Sequence, residues 1–139
     1  MSRIRIQLPE NFSFSTNIAI RITDLNYGGH VGNDTVLSLI HEARVQYLRA
    51  FGYGEMNFEG AGMIMIDAGI EFRSELFYGN EIKAFVIATE FSRVGFNFYY
   101  KLMKGETIVA IAKTGMVCYD YEKKKVVSVP AAAVEKLRQ

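Results

Sequence analysis

The sequence predicts an α+β domain in which an antiparallel sheet curls around one long helix. Three observations carry this. Residues 35 to 51 hold a single apolar stripe at helical spacing. The segments after residue 62 switch to period-two alternation. The joints between those segments are of hairpin length, which makes antiparallel pairs. A helix with one apolar stripe and a sheet with one apolar face bury each other when the sheet wraps the helix.

In chain order, residues 12 to 23 read as a strand, with Phe12, Phe14, Thr16, Ile18, Ile20 and Ile22 on one face. Residues 24 to 33 form a polar, Gly-rich loop, and Asn33 or Asp34 suits the N-cap of the helix that follows. The stripe of that helix is Val36, Leu39, Ile40, Ala43, Tyr47, Ala50 and Phe51, widened by Leu37 and Leu48; Gly52 and Gly54 end it. Ile64, Ile66, Ala68, Ile70 and Phe72 then alternate with Met65, Asp67, Gly69, Glu71 and Arg73. Tyr78-Gly79-Asn80 is a turn, 82 to 91 and 96 to 103 are strands joined by Ser92-Arg93-Val94-Gly95, and Lys104-Gly105-Glu106 turns into 107 to 121. Residues 120 to 125 close the sheet and Pro130 opens a short terminal helix, 131 to 137.

The chain has 139 residues, half of them hydrophobic, which fits one domain, 1–139, with a core that needs no staples. Sixteen Lys and Arg against fifteen Asp and Glu argue against a nucleic-acid binder. The cluster Lys123-Lys124-Lys125 reads as a solvated turn. The single cysteine, Cys118, lies in an apolar run, excludes an intrachain disulfide, and reads as a buried, inert thiol. The absence of any apolar run long enough to span a bilayer, and of a signal-like start, gives cytoplasmic as the expected location. No metal site and no cofactor are expected.

The loop Asp24-Leu25-Asn26-Tyr27-Gly28-Gly29-His30-Val31-Gly32-Asn33 holds the candidate chemistry. Glycine-rich backbone running into a helix start points amides outward, where they bind an anion or an oxyanion, and an acid and an imidazole beside them supply proton transfer. The loop resembles the Asp-x-Asp-x-x-Gly-His-Val-Asn-Asn stretch of the hot-dog fold thioesterases related to 4-hydroxybenzoyl-CoA thioesterase and the plant acyl-carrier-protein thioesterases. Glu42-Ala43-Arg44, Ile70-Glu71-Phe72, Gly79-Asn80-Glu81-Ile82, Ser92-Arg93-Val94-Gly95 and Val127-Ser128-Val129-Pro130 are similar to further motifs of that family, so the likeness spans roughly residues 14 to 130. It implies a hot-dog fold, a five-stranded antiparallel sheet around one central helix. It also implies hydrolysis of an acyl thioester, of coenzyme A or of acyl-carrier protein, by activated water at the interface of a homodimer or a larger homo-oligomer.

The departures bear on mechanism. Asn26 stands where the family's second acid acts as nucleophile or base, and an amide takes no proton. Gly32 replaces an Asn, and Gly28 stands where the plant enzymes have a catalytic Asn. The candidate catalytic set is therefore Asp24, Asn26, His30 and Glu42, each with a structural reading beside it. Asp24 is a base or a loop cap; Asn26 holds a carbonyl or water, or bonds its own loop; His30 works in acid–base chemistry or packs; Glu42 is a base raised by burial, or pairs with backbone, Arg44 or Arg73. Tyr27, Gly28, Gly29, Val31 and Gly32 are candidate substrate contacts, the amides from Gly29 to Gly32 being the expected oxyanion donors. Met63 and Met65, with Met56, are candidate walls of an acyl slot, and Asp67 is a candidate to reach a partner subunit's site. The strand from 62 to 73 is too apolar for a free edge and predicts a covering copy of the chain.

Two other functions fit parts of the pattern. An enoyl-thioester hydratase or dehydratase is echoed by Asp24, Asn26 and His30, and by His30 with Glu42, without the family's Pro or Phe-Pro. The missing acid at position 26 also allows a non-catalytic acyl-thioester binder.

Overall fold

The computed structural model describes residues 1–138; Gln139, the end of the expected domain, lies outside the described residues. Strands β1 (Phe14–Ala19), β2 (Gly62–Phe72), β3 (Glu81–Thr89), β4 (Gly95–Lys104) and β5 (Thr107–Asp120) form an antiparallel sheet in the order β1-β3-β4-β5-β2. A sixth strand of two residues, β6 (Lys125–Val126), pairs only with β5, so the expected five-stranded sheet gains one short strand. Helix α1 (Asn33–Ala50) packs across the concave face and α2 (Ala131–Leu137) closes one end: the hot-dog arrangement.

The helix lies close because the sheet beneath it alternates bulky and small side chains. Ala84, Ala110 and Ala112 make room while Ile82, Val86, Phe98, Tyr100, Leu102 and Met116 interdigitate with Leu39, Ile40, Ala43, Tyr47 and Leu48; all are buried. Each large aliphatic chain so buried contributes about 1.5–3 kcal/mol. Tyr47 meets Phe14 and Phe98 edge to face, and its hydroxyl accepts from the Ala88 amide at 3.2 Å. The helix ends in a Schellman motif: Gly52 (φ 82°) donates to Arg49 O at 2.9 Å and Tyr53 to Leu48 O at 2.8 Å.

The structure corrects several boundaries. The first strand stops at Ala19, because Arg21 to Asp24 form a short 3₁₀ turn that leaves Ile22 exposed. The N-cap of α1 is Gly32, not Asn33 or Asp34, and no side chain caps it. Leu37 and Ala50 face solvent, whereas Arg44, a charged residue, is buried inside the stripe.

The alternation of β2 also changes parity. A bulge between Met65 and Asp67 leaves Ile66 unopposed. Before it, Met63 and Met65 oppose the buried Cys118 and Met116; after it, Ala68, Ile70 and Phe72 oppose the buried Thr114, Ala112 and Ala110. The concave face of β2 is therefore Met63, Met65, Ala68, Ile70 and Phe72, and Ile64 lies on the convex face opposite Val117. The bulge is pinned by Asp67, whose carboxylate accepts from the Gly115 amide at 3.0 Å and from Lys113 Nζ at 2.7 Å. That hydrogen bond from Lys113 holds the Asp67 carboxyl below the usual range.

The convex face of β2 and β5 is covered by an extended N-terminal arm. The Ile6 amide donates to Glu71 Oε2 at 2.6 Å, and Ile4 and Ile6 lie over Gly69. Cys118 is fully buried, and burial pushes its thiol up to about 11, which suits an inert packing role. Among the described residues no helix is long and apolar enough to cross a membrane.

Candidate active site

The loop between β1 and α1 folds into a tongue. Leu25 bridges to Val31, the Asn26 amide donates to His30 O at 2.8 Å, and Gly29 donates back to Asn26 O at 3.1 Å. Asn26 Oδ1 accepts from the Gly28 amide at 2.8 Å, an Asx turn that sets the tip. Gly29 sits at φ 82°, where a side chain would strain the backbone. Gly32 is required by proximity: a Cβ there would stand 2.6 Å from Asp34 Oδ1 and 3.5 Å from Asn26 Nδ2. Val31 donates to Leu76 O at 2.9 Å and so ties the tongue to the chain leaving β2.

At the foot of the tongue is a cleft of about 250 Å³. Its walls are His30 and Val31 of the tongue, Asn33 and Val36 of the first helical turn, Phe72 at the end of β2, residues 73–76, and Val109 of β5. His30 is half-buried, its ring edge-on to Phe77 with centroids 6.4 Å apart. Its Nδ1 lies 3.3 Å from Val31 O, and a carbonyl only accepts, so in the neutral ring Nδ1 is the donor and Nε2 the acceptor. Among the described residues, the amides of Asn33 and Asp34 bond no protein acceptor, as befits the first turn of a helix without a side-chain cap.

The sequence candidates separate in space. His30 and Val31 line the cleft, and Asn26 stands beside Gly32, neither of them in its walls. Asp24 is buried with its carboxylate turned away: Oδ2 accepts from the Arg21 amide at 2.8 Å and Oδ1 from Arg21 Nη2 at 3.3 Å. Two of the expected oxyanion donors are spent inside the protein, Gly29 on Asn26 and Val31 on Leu76, and Gly28 is spent on the Asn26 side chain. The amides of His30 and Gly32 within the expected stretch, and of Asn33 and Asp34 beyond it, bond no protein acceptor among the described residues. Tyr27 is fully exposed at the tongue tip.

Glu42 is not in the buried stripe. It is exposed on the flank of α1 facing β1, where it accepts from Gln46 Nε2 at 2.6 Å, and it pairs with neither Arg44 nor Arg73. It lies nine residues past Asn33, about 14 Å along the helix axis. Met63 is core, Met56 and Met65 are exposed, and none of the three lines the cleft. Asp67 is committed to Lys113 and the bulge on the convex face.

Sequence reasoning did not single out Phe72, the 73–76 segment or Val109 for this site, nor Asp34 beside it. The first three reach it only through tertiary folding. Asp34 carries a signal, an acid in the first turn beside a glycine N-cap, which reads as a cap until the geometry shows its carboxylate against Gly32.

A larger groove, about 490 Å³, runs beneath the N-terminal arm between Arg5, Leu8, Thr89, Glu90, Tyr99 and Lys113. Two of its charges are engaged: Glu90 accepts from Asn97 and Tyr99, and Lys113 bonds Asp67. It offers no free imidazole or helix-start amide, so the smaller cleft is the better candidate for chemistry.

Comparison with known proteins agrees with the geometry. The family model of the thioesterase-like superfamily matches residues 20–137. A 1,4-dihydroxy-2-naphthoyl-CoA hydrolase of Nostoc punctiforme is 26% identical over 126 residues, covering 88% of this chain and 85% of that protein. Among solved structures, a 1,4-dihydroxy-2-naphthoyl-CoA thioesterase from Synechocystis superposes with a TM-score of 0.81 at 20% identity, over 91% of this chain and 96% of that one. A DHNA-CoA thioesterase from Staphylococcus aureus superposes with a TM-score of 0.79 at 16% identity, over 89% of each chain. The chain belongs to the thioesterase-like superfamily, enzymes of thioester hydrolysis built on the hot-dog fold.

Proposed function

We propose that this protein hydrolyses an acyl thioester, of coenzyme A or of an acyl-carrier protein, to the free acid and thiol, with His30 as general base. The observation that carries the reading is one cleft lined both by the His30 imidazole and by Asn33, whose first-turn amide bonds no protein acceptor. The thioester carbonyl oxygen accepts from the amides of Asn33 and Asp34, where the helix dipole adds positive potential as the oxygen becomes an oxyanion. Nε2 takes a proton from water as its oxygen bonds the carbonyl carbon. The tetrahedral adduct then breaks its carbon–sulfur bond, and the imidazolium returns the proton to the departing thiolate. Asp24 serves as scaffold for the tongue in this reading. The name of the Nostoc relative supports a coenzyme A ester.

The active unit we propose is a homodimer, or a larger assembly of such pairs, joined along β2. That strand is one edge of the sheet, eleven residues long, and exposes Met65, Ile66 and Phe72. An open apolar edge of this length is a template for a second strand. Sedimentation at micromolar concentration is expected to show no monomer, and Ile66→Lys is expected to release it; a wild-type monomer refutes this assembly.

To test the reaction, the protein is incubated with saturated and enoyl thioesters while free thiol and the enoyl absorbance are followed. Thiol release is expected with both. Loss of enoyl absorbance without thiol identifies a hydratase, and binding with neither signal identifies a non-catalytic binder. The hydratase reading is the less supported, because His30 and Glu42 stand on different flanks of the fold.

A further inference from the structure

Resting on the hydrolase reading above, we propose that Phe77 and Gly28 are positioning residues for His30. The Phe77 ring holds the imidazole in place, and the bare Cα of Gly28 keeps Nε2 open to water. The need for them follows from how little else holds the ring. An imidazole turns about its side-chain bonds and has several staggered positions to choose from. Its polar contact in the protein, Nδ1 to Val31 O, is 3.3 Å long, past the range of about 2.7–3.2 Å for such a bond. A base that wanders loses rate steeply, since a misplacement of about 1 Å costs up to about 10²-fold.

Phe77 is fixed beside His30 by its backbone. The Val31 amide donates to Leu76 O at 2.9 Å, so the residues next to His30 and next to Phe77 are tied together. A turn then pins Phe77 itself. Its amide donates to Asn80 Oδ1 at 2.8 Å, its carbonyl accepts from the Asn80 amide at 3.1 Å, and Gly79 takes φ 88° between them. Asn80 O in turn accepts from the Ile20 amide at 2.9 Å, just past the end of β1. None of these bonds uses the Phe77 ring, which stays 44% exposed, so the turn places it and core packing does not. The ring stands at 73° to the imidazole with centroids 6.4 Å apart, inside the range of about 4.5–7 Å for edge-to-face pairs.

Gly28 borders the reactive edge. A Cβ there would stand 3.2 Å from His30 Nε2, 3.4 Å from its Cδ2 and 3.3 Å from Asn26 Oδ1. The backbone of Gly28 lies outside the left-handed region, so its conformation does not demand glycine. What the glycine provides is room beside Nε2.

The test measures kcat and KM of Phe77→Ala, Phe77→Tyr and Gly28→Ala on a thioester that the wild-type protein hydrolyses. Beside it, the rate at which diethyl pyrocarbonate modifies His30 is read from the mass of the His30 peptide. The reagent acylates an unprotonated ring nitrogen, which is Nε2 in this tautomer. Phe77→Ala and Gly28→Ala are each expected to lower kcat about tenfold, with KM within about threefold of wild type. Phe77→Tyr is expected to recover most of the loss, and Gly28→Ala to slow the modification of His30 at least about threefold. Phe77→Leu, which keeps bulk without the ring, carries the same expectation as the alanine if that variant folds poorly. A folded variant that keeps kcat within about threefold of wild type, or loses only KM, overturns the role of that residue. With His30→Gln inactive in the same assay, the hydrolase reading then still stands. An unchanged modification rate in Gly28→Ala overturns the role of Gly28 whatever the activity. No hydrolysis of any thioester by the wild-type protein overturns both the positioning roles and the hydrolase reading.

Discussion

Replacing His30 by glutamine is expected to lower kcat/KM about 10²- to 10⁴-fold on any thioester the wild-type protein hydrolyses. The effect is expected in kcat, with KM close to wild type. Glutamine keeps a polar planar head of similar size but cannot take the proton from water. Folding is expected to be preserved, because His30 is half-buried and its polar contact in the protein is the 3.3 Å approach of Nδ1 to Val31 O. A thermal melt within about 2–4 °C of wild type, or roughly 1 kcal/mol for a chain of this size, establishes that the loss is chemical. Retention of more than a tenth of the wild-type activity refutes His30 as the base. The same assay on Asp34→Asn then asks whether the carboxylate beside Gly32 takes its place.

The readable parts of this chain are those in which neighbouring residues decide the outcome. The 3.6-residue stripe of α1, the glycine after it and the Ser92–Gly95 hairpin are local, and the structure keeps the last two and most of the first, Leu37 and Ala50 excepted. The tongue was legible as a site because glycines, an amide and an imidazole rarely cluster before a buried helix without a reason. Two of its four expected donors are spent, since which amides remain open depends on the carbonyls of Asn26 and Leu76.

The β2 bulge was illegible. Its alternation looks unbroken in sequence, and only the partner strand, with Gly115 leaving room for the Asp67 carboxylate, reveals that Ile66 is extra. Glu42 misled for a related reason. It sits one residue from Ala43 on a broad stripe, and a shift of about 100° along a helix separates a buried position from an exposed one. The cleft walls at Phe72, Leu76 and Val109 carry no local mark, because two chain segments more than thirty residues apart build them.

Replacing Glu55 by alanine is expected to destabilise the fold by about 3 kcal/mol, up to about 5, because it strands a buried cation. Arg44 emerges from the middle of α1 with its side chain 4% exposed, and its Nε donates to Glu55 Oε2 at 3.2 Å. Nη1 donates to the Tyr100 hydroxyl at 3.1 Å, which shares a further bond of 2.7 Å with Thr114 Oγ1. This chain of contacts anchors the helix to β4 and β5. Glu55 is its acidic end, held also by His41 Nε2 at 2.8 Å. No buried side-chain nitrogen or oxygen among the described residues lacks a partner, so the variant creates a defect the native fold does not contain.

The Glu55 side chain is 26% exposed, which admits some water to the vacated position and favours the lower end of the range. At about 2–4 °C per kcal/mol, the expected fall in melting temperature is roughly 6–20 °C. Arg44→Met removes the cation itself. Tyr100 keeps Thr114, Glu55 keeps His41 and solvent, and the expected cost is smaller, about 1–3 kcal/mol. The decisive quantity is the double variant, expected to lie close to Arg44→Met alone, because without the cation the missing carboxylate matters little. Denaturant titration of the four proteins gives a coupling of about 2 kcal/mol or more if the pair acts as a unit. Additivity within about 0.5 kcal/mol refutes it, and assigns the stability of this helix–sheet seam to its apolar packing.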